Sequence, residues 1–323
     1  MTRTLQFFLA PLACGAASVG QHEWQKPKSP VPRAAVEKIT GPVKPGMKPS
    51  RPRNIVWVWS YDKWHKPGAH DYLRVRDLMV GLLKKVPDVR VQTAYLFPTP
   101  EQFRSADLIV MYLHLPQLSA KQYALFKGYL RDGGGAVALH ETAIIRPASE
   151  GKKLAQCLGM AWDEGRSQWG AIFDDITINN RHEIFDGFPA RLKIVDEFYW
   201  KLNRIDAIKI LGSVRTGPPG HSRAPVPADK LSEHTSPMFW TLQSGEGRLF
   251  GTTTGHNTFT YYDPEFRIVL FRAMAWAMRE APGPFLPLVF DGITDEDGMV
   301  GTTDTMRSWK GKVREAPKRQ LRR

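Results

Sequence analysis

The chain predicts an α/β fold: a doubly wound, mainly parallel sheet with a mixed-sheet extension. Three observations carry this. Between residues 54 and 140, short apolar runs alternate with stretches of helical periodicity, the pattern of βαβ units. The runs are apolar throughout, as strands buried on both faces are. From residue 170 onward, strand-like segments follow one another with few helices between them.

The elements follow in order. IVWVWS, after Asn54, is the first strand, and Asp71 to Lys85 places Leu73, Leu78, Leu82 and Val86 on one side of a helix. VRVQTAYL (89–96) is the second strand. Thr99-Pro100-Glu101-Gln102 reads as a capping box opening a short helix. DLIVMYL (107–113) is the third strand, and Ser119 to Gln122 caps a helix running to about Arg131. Gly133-Gly134-Gly135 fits a tight exit from that helix into AVAL (136–139), the fourth strand. Segments 170–213 and 236–254 supply the extension. Asp263-Pro264-Glu265 starts a last helix with an Asp N-cap and Pro at its first position. That helix carries VLFRAMAWAM, apolar on most faces, and should pack on the sheet.

The 323 residues carry a net charge of +13, yet the body is neutral. Residues 1–53 hold 9 Lys/Arg against 2 Glu, residues 301–323 hold 8 against 2 acids, and the 247 between them hold 28 of each sign. The basic ends read as solvated arms rather than a binding face, and no nucleic-acid reading motif accompanies them, so no specific nucleic-acid partner is expected. Residues 1–20 have the order of a secretory signal peptide, which implies export, with a cytoplasmic location if the segment is not a signal. Residues 21–53 are proline-rich and read as an extended basic linker. A single domain is expected over 54–280, followed by a Pro/Gly-containing extension and basic tail over 281–323. Cys14 and Cys157 are the only cysteines, which leaves no internal disulfide once a signal is removed and no zinc–thiolate site. Cys157, inside LAQCLGM, reads as a small buried residue. No stretch after the start reaches the roughly 20 apolar residues of a membrane span. The sequence is compatible with a homo-oligomer.

Ligands of a parallel sheet bind outside the carboxyl ends of its strands. GGGAVALHETA ends its strand directly on His140 and Glu141. The same rule brings the loop with His65 and His70 to that edge, and His114 after the third strand. His256, after GRLFGTTTG, can reach the same rim. Each residue has a bland reading beside this one. His140 can cap the sheet, His70-Asp71 can open a helix, His114 reads as a packed core-edge residue, and His182 in NNRHEIFDG as a surface histidine. Asp196-Glu197, beside Phe198, Tyr199 and Trp200, places a carboxylate either in a semi-apolar setting suited to acid–base work or at an exposed strand end. The glycines precede their strand, so they form no dinucleotide cradle and no nucleotide cofactor is expected. A nucleophile elbow would have Ser or Cys where His140 stands.

Four stretches in order resemble the ThuA-like (trehalose utilisation) family: DLIVMYL through GGGAVALH, HEIFDGF, DEFYW, and PMFWTLQSGEGRLFGTTTGHN through FRAMAWA. The resemblance spans about 54 to 280. It implies a flavodoxin-like, class I glutamine amidotransferase-like fold with His140 in the nucleophile's place, hence no glutaminase. It also implies that His70, His140, His182, Glu197 and His256 gather around one pocket. Two departures stand out: Glu183 replaces the proline of the family's His-Pro-Ile, and the loop 214–235 is lengthened, as a lid or an insertion.

The resemblance implies a sugar or glycoside ligand. Its chemistry is expected to be cleavage of 3-keto glycosides by elimination, in a lyase or hydrolase, with a non-catalytic carbohydrate-binding domain as the alternative. Imidazoles with a carboxylate suit zinc or a similar divalent ion. In that scheme His70, His140, His182 and His256 are candidate metal ligands, with His140 and His256 as ligands or electrophiles. Glu197 is the acid or base, Glu141 orients a histidine and counts with Tyr199 and Trp200 among the substrate-binding residues, and the two aromatics form a sugar-facing wall.

Overall fold

The computed structural model describes residues 26–307, apart from 63, 66, 146, 172–173, 218–230 and 233. The signal-like segment 1–20, most of the 214–235 loop and the basic tail after 307 lie outside the described residues. From the amino end come β1 (Val31–Pro32), α1 (Arg33–Thr40), β2 (Arg53–Trp59), α2 (Tyr72–Leu83) and β3 (Val89–Tyr95). Then follow α3 (Pro100–Ser105), β4 (Leu108–Tyr112), α4 (Ala120–Arg131), β5 (Gly135–Leu139) and α5 (Gly151–Leu158). The short strands β6 (Met160–Ala161), β7 (Gln168–Ala171), β8 (Ile176–Ile178), β9 (Arg191–Leu192), β10 (Glu197–Trp200) and β11 (Asn203–Arg204) lead to β12 (Ile208–Arg215). The chain continues through β13 (Thr235–Ser244), β14 (Gly247–Thr252), α6 (Pro264–Ala277), β15 (Thr294–Glu296) and β16 (Met299–Gly301).

Nine strands form the main sheet in the order β3-β2-β4-β5-β14-β13-β12-β8-β9. Its first five are mutually parallel, and the remaining pairs are antiparallel. Counting only the parallel strands gives the flavodoxin-like order 2-1-3-4-5. The predicted doubly wound sheet with its mixed extension is therefore the observed one. Strand alternation divides the core: Ile55, Trp57 and Trp59 join the cluster under α2 and α6, whereas Val56 and Val58 join the one under α4 and α5. The predicted capping box forms at Thr99, the predicted cap at Ser119 is a capping box too, and Asp263 caps α6.

The proline-rich stretch does not run free as an extended linker. β1 pairs with β16, Val36 of α1 is buried in the main core, and Arg272 of α6 donates to Ile39 O at 2.6 Å. Lys28 reaches Asp263 at 2.8 Å and also pairs with Glu265; Arg53 pairs with Glu280 and Asp107. Much of the arm's basicity is thus matched by acids of the neutral body, which the charge map alone does not reveal. Among the described residues, no helix is long and apolar enough to cross a membrane. Cys157 is buried in α5, as expected, and burial pushes its thiol up to about 11.

Candidate metal centre

The carboxyl ends of β4, β5 and β14, the loop after β2 and the separate strand β10 deliver the site. β5 stops at Leu139 and the chain turns at once into a 3₁₀ turn, His140–Ala143. His140 has φ +49° and His70 φ +50°, a left-handed backbone that costs a non-glycine residue roughly 1–3 kcal/mol unless its surroundings hold it. They do. His140 Nδ1 lies 2.6 Å from Thr253 O beyond β14, and His70 N donates to His256 O at 2.9 Å. These hydrogen bonds hold both strained residues over the carboxyl end of the sheet.

Four buried side chains converge there: His70, His140, Glu197 and His256, one ligand atom from each lying within 4.8 Å of the others. His70 Nε2 is 2.9 Å from His256 Nδ1 and 3.2 Å from His140 Nε2. Glu197 Oε1 stands 3.3 Å from His256 Nδ1 and 3.9 Å from His140 Nε2. Ligands of a tetrahedral zinc ion, each about 2.0–2.1 Å from the metal, stand about 3.3 Å apart. The spacing fits.

The tautomers fit as well, because their outer partners assign them. Thr253 O can only accept, so His140 Nδ1 carries the proton and Nε2 presents its lone pair. His70 Nδ1 meets the Glu141 carboxylate at 2.5 Å, so His70 also presents Nε2 bare. These two unprotonated nitrogens face each other at 3.2 Å, His140 Nε2 meeting the Tyr199 hydroxyl at 2.8 Å and His70 Nε2 meeting His256 Nδ1 at 2.9 Å, so an ion bound there would take the place of those hydrogen bonds. Burial holds His70 below the ordinary imidazole value and His140 well below it, so both are neutral and ready to ligate. His256 behaves oppositely. Burial would lower it, but the Glu197, Asp196 and Glu141 carboxylates together outweigh that and raise it.

Glu141 is the hub behind the ligands. It accepts from His70, from His114 Nδ1 at 2.8 Å and from the Tyr72 hydroxyl. Burial alone would raise its carboxyl; the His114 and His70 hydrogen bonds hold it well below the usual range. Asp196 anchors the other side, accepting from the backbone of Gly255 at 2.7 Å and Asn257 at 3.0 Å, and from Thr260 Oγ1 at 3.1 Å. Burial pushes it up to about 6, which still leaves a carboxylate at neutral pH. Its role is to hold the Gly255–Asn257 turn that presents His256.

Of the predicted site residues, His70, His140, Glu197 and His256 meet in the cluster, and Glu141 stands directly behind it. Tyr199 stacks on His140 with ring centroids 4.3 Å apart, its hydroxyl 2.8 Å from Nε2. Trp200 does not face the site: it is fully buried in the main core, with Nε1 donating to Gln168. Successive strand residues point to opposite faces, so Glu197 and Tyr199 share the site while Phe198 and Trp200 leave it. His182 is also elsewhere. It caps the 3₁₀ turn Glu183–Phe185 and lies against Trp276, whose ring also carries Arg248 from the amino end of β14, the far edge of the sheet.

Two further residues that the strand-end rule brings to this edge, His114 and His65, have roles the sequence did not assign. His114 is no passive core-edge residue, since it hydrogen-bonds Glu141 while its side chain remains 31% exposed. His65, paired with Asp62 at 2.6 Å, stacks on His70 at 3.9 Å and 11°. Asp62, His65 and His70 are close enough to suggest a second ion site. Stacked imidazoles aim their lone pairs along parallel planes, however, so these do not converge on one ion. Asp62 and His65 form a wall of the first site instead.

Comparison with known proteins agrees with the fold. The sequence profile of the family described as trehalose utilisation (ThuA) matches residues 56–277. The fold is similar to that of a ThuA-like protein from Bacteroides uniformis, at TM-score 0.53 and 17% identity, covering 75% of this chain and 99% of that one. It is similar also to a ThuA-like protein from Parabacteroides merdae, at TM-score 0.54 and 15% identity, covering 71% and 90%. No curated protein sequence matches the chain.

Proposed function

Because the chain belongs to the ThuA, or trehalose utilisation, family, we propose that its buried histidine cluster binds a divalent ion such as zinc and cleaves 3-keto glycosides by elimination. The observation that carries this reading is the set of four ligand atoms spaced for one ion, with the unprotonated Nε2 atoms of His70 and His140 3.2 Å apart within it. His70 Nε2, His140 Nε2 and His256 Nδ1 would hold the ion, three protein ligands being the number that leaves a position for substrate. A bound ion supplies Lewis-acid polarisation of the substrate ketone oxygen.

The protein's own groups do the rest. Glu197, at the edge of the triad, takes the proton from the sugar C2, next to the C3 ketone. The C2–H electrons become the C1–C2 double bond as the C1–O bond to the aglycone breaks. The aglycone oxygen leaves with a proton returned from Glu197. Tyr199 keeps its phenolic proton, which burial holds well above the ordinary value, and donates it as a hydrogen bond to the ketone oxygen as charge develops there.

Glu197→Gln tests the assignment. It should keep the ion at wild-type stoichiometry while turnover of 3-keto trehalose falls by roughly 10²-fold or more, the scale of a lost general base. Wild-type turnover in this variant removes Glu197 as the base. A metal-loaded wild type that binds the sugar and never turns it over would make the protein a carbohydrate-binding domain.

A further inference from the structure

We propose that Trp162 and Trp169 form the stacking platform for the leaving, aglycone half of the glycoside, a role that rests on the sugar-processing reading of the same site. The argument begins with register. β7 and β10 are antiparallel, with Trp169 directly opposite Tyr199 and Ala171 opposite Glu197. Directly paired residues of two strands project from the same face. Trp169 therefore stands on the face that carries Glu197 and Tyr199. Gln168 stands on the other face, where it receives the Trp200 indole N–H.

Trp162 reaches the same place from the turn after β6, meeting the Tyr199 ring edge-on at 5.6 Å and 87°. Both tryptophans are half-buried, packed on a small cluster formed by Ala143, Ile144, Met160, Tyr199, Leu202 and Trp240. Aromatic surface thus runs outward from the centre: His140, then Tyr199 stacked on it, then two indoles that remain partly exposed. A row of rings that passes from a fully buried ligand to partly exposed tryptophans suits a ligand whose own surface is flat and amphipathic.

A pyranose is such a ligand. One face of the ring presents C–H groups to an aromatic plane, while its rim of hydroxyls stays hydrated. With the keto ring at the metal end, beside Glu197 and Tyr199, the second ring extends over the tryptophans. The platform would therefore bind substrate without touching the bonds that change. Its loss should appear in KM rather than in kcat, the signature of binding shared by ground and transition states.

The test uses the full-length, metal-loaded protein with two probes, trehalose for binding and 3-keto trehalose for turnover. Trp162→Leu and Trp169→Leu keep apolar bulk against the small cluster but remove the aromatic face. Each should weaken trehalose binding and raise KM for the keto sugar by about tenfold, with kcat within about twofold and bound metal unchanged. Trp→Phe at either position should recover most of the affinity. Wild-type affinity and KM in both leucine variants would overturn the platform, as would weakening that merely tracks lost metal. The two readings separate cleanly. A wild type that binds trehalose through these tryptophans but cleaves no keto sugar refutes the reaction and keeps the platform; turnover with unchanged KM in the leucine variants does the reverse.

Discussion

At the residue scale, the site is a set of histidines whose protonation is decided by what stands behind each ring. Glu141 fixes His70 and, through its second oxygen, holds His114. Glu141→Gln should therefore lower zinc affinity by roughly 10–100-fold, the usual cost of losing a ligand's outer partner. Equilibrium titration against a competing chelator measures it, and an unchanged affinity would deny Glu141 its orienting role. His256 gives a signed prediction. Against the opposing effect of burial, the carboxylates of Glu197, Asp196 and Glu141 raise its folded-state value above 6.5, so at pH 6.5 the metal-free protein carries a proton there that an ion must displace. Zinc binding at that pH should release protons, seen as a calorimetric heat that depends on the buffer, and affinity should rise with pH through the His256 value. A buffer-independent heat would contradict this. Most of these residues were legible because strand ends mark the functional edge of a parallel sheet. Trp200 was misplaced by sequence adjacency to Tyr199, although strand alternation already separates the two. Trp169 was not legible, since the register of β7 against β10 exists only in the folded chain.

At the scale of elements, the stretch GGGAVALHETA works as a delivery device. An added Cβ on Gly135 would sit 2.6 Å from Ala277 O at the end of α6, and backbone cannot step aside as a side-chain tip can. Gly135→Ala should cost about 1–3 kcal/mol in denaturant unfolding with an unchanged m-value. Gly81, inside α2, has open space around it and no positive φ, so Gly81→Ala should instead add about 0.5–1 kcal/mol. Equal effects at the two positions would mean that close packing at the head of β5 is not what requires glycine there. The capping boxes and the apolar runs made the first four sheet strands and their helices readable almost to the residue. The second half was readable only as a strand-rich extension. Its short strands β6 to β11 owe their conformation to pairing partners distant in sequence. His182 was drawn toward the pocket by a motif in which Glu183 breaks the family pattern; the structure places it at the opposite edge.

At the scale of the whole molecule, the domain begins earlier than the composition implies. Proline content hid the docking of residues 26–53, whose contacts are few but specific: Val36 in the core, Lys28 on Asp263, Arg272 on Ile39 O. A chain starting at residue 54 should melt several degrees lower than the full chain while keeping its metal affinity, because none of these contacts reaches the ligands; equal melting temperatures would return the segment to the status of a linker. The fold then serves one end. Five parallel strands and the turn after β14 bring together residues 186 positions apart, His70 and His256, in a buried setting where bare imidazole nitrogens face each other. The measurement that bears on this most directly is metal content by elemental analysis, on purified wild type after zinc loading and dialysis and on His140→Ala with its fold checked by circular dichroism. The account predicts one tightly held ion per chain in the wild type and its loss in a variant that remains folded. A wild type that retains no zinc, or a folded variant that retains all of it, would contradict the account.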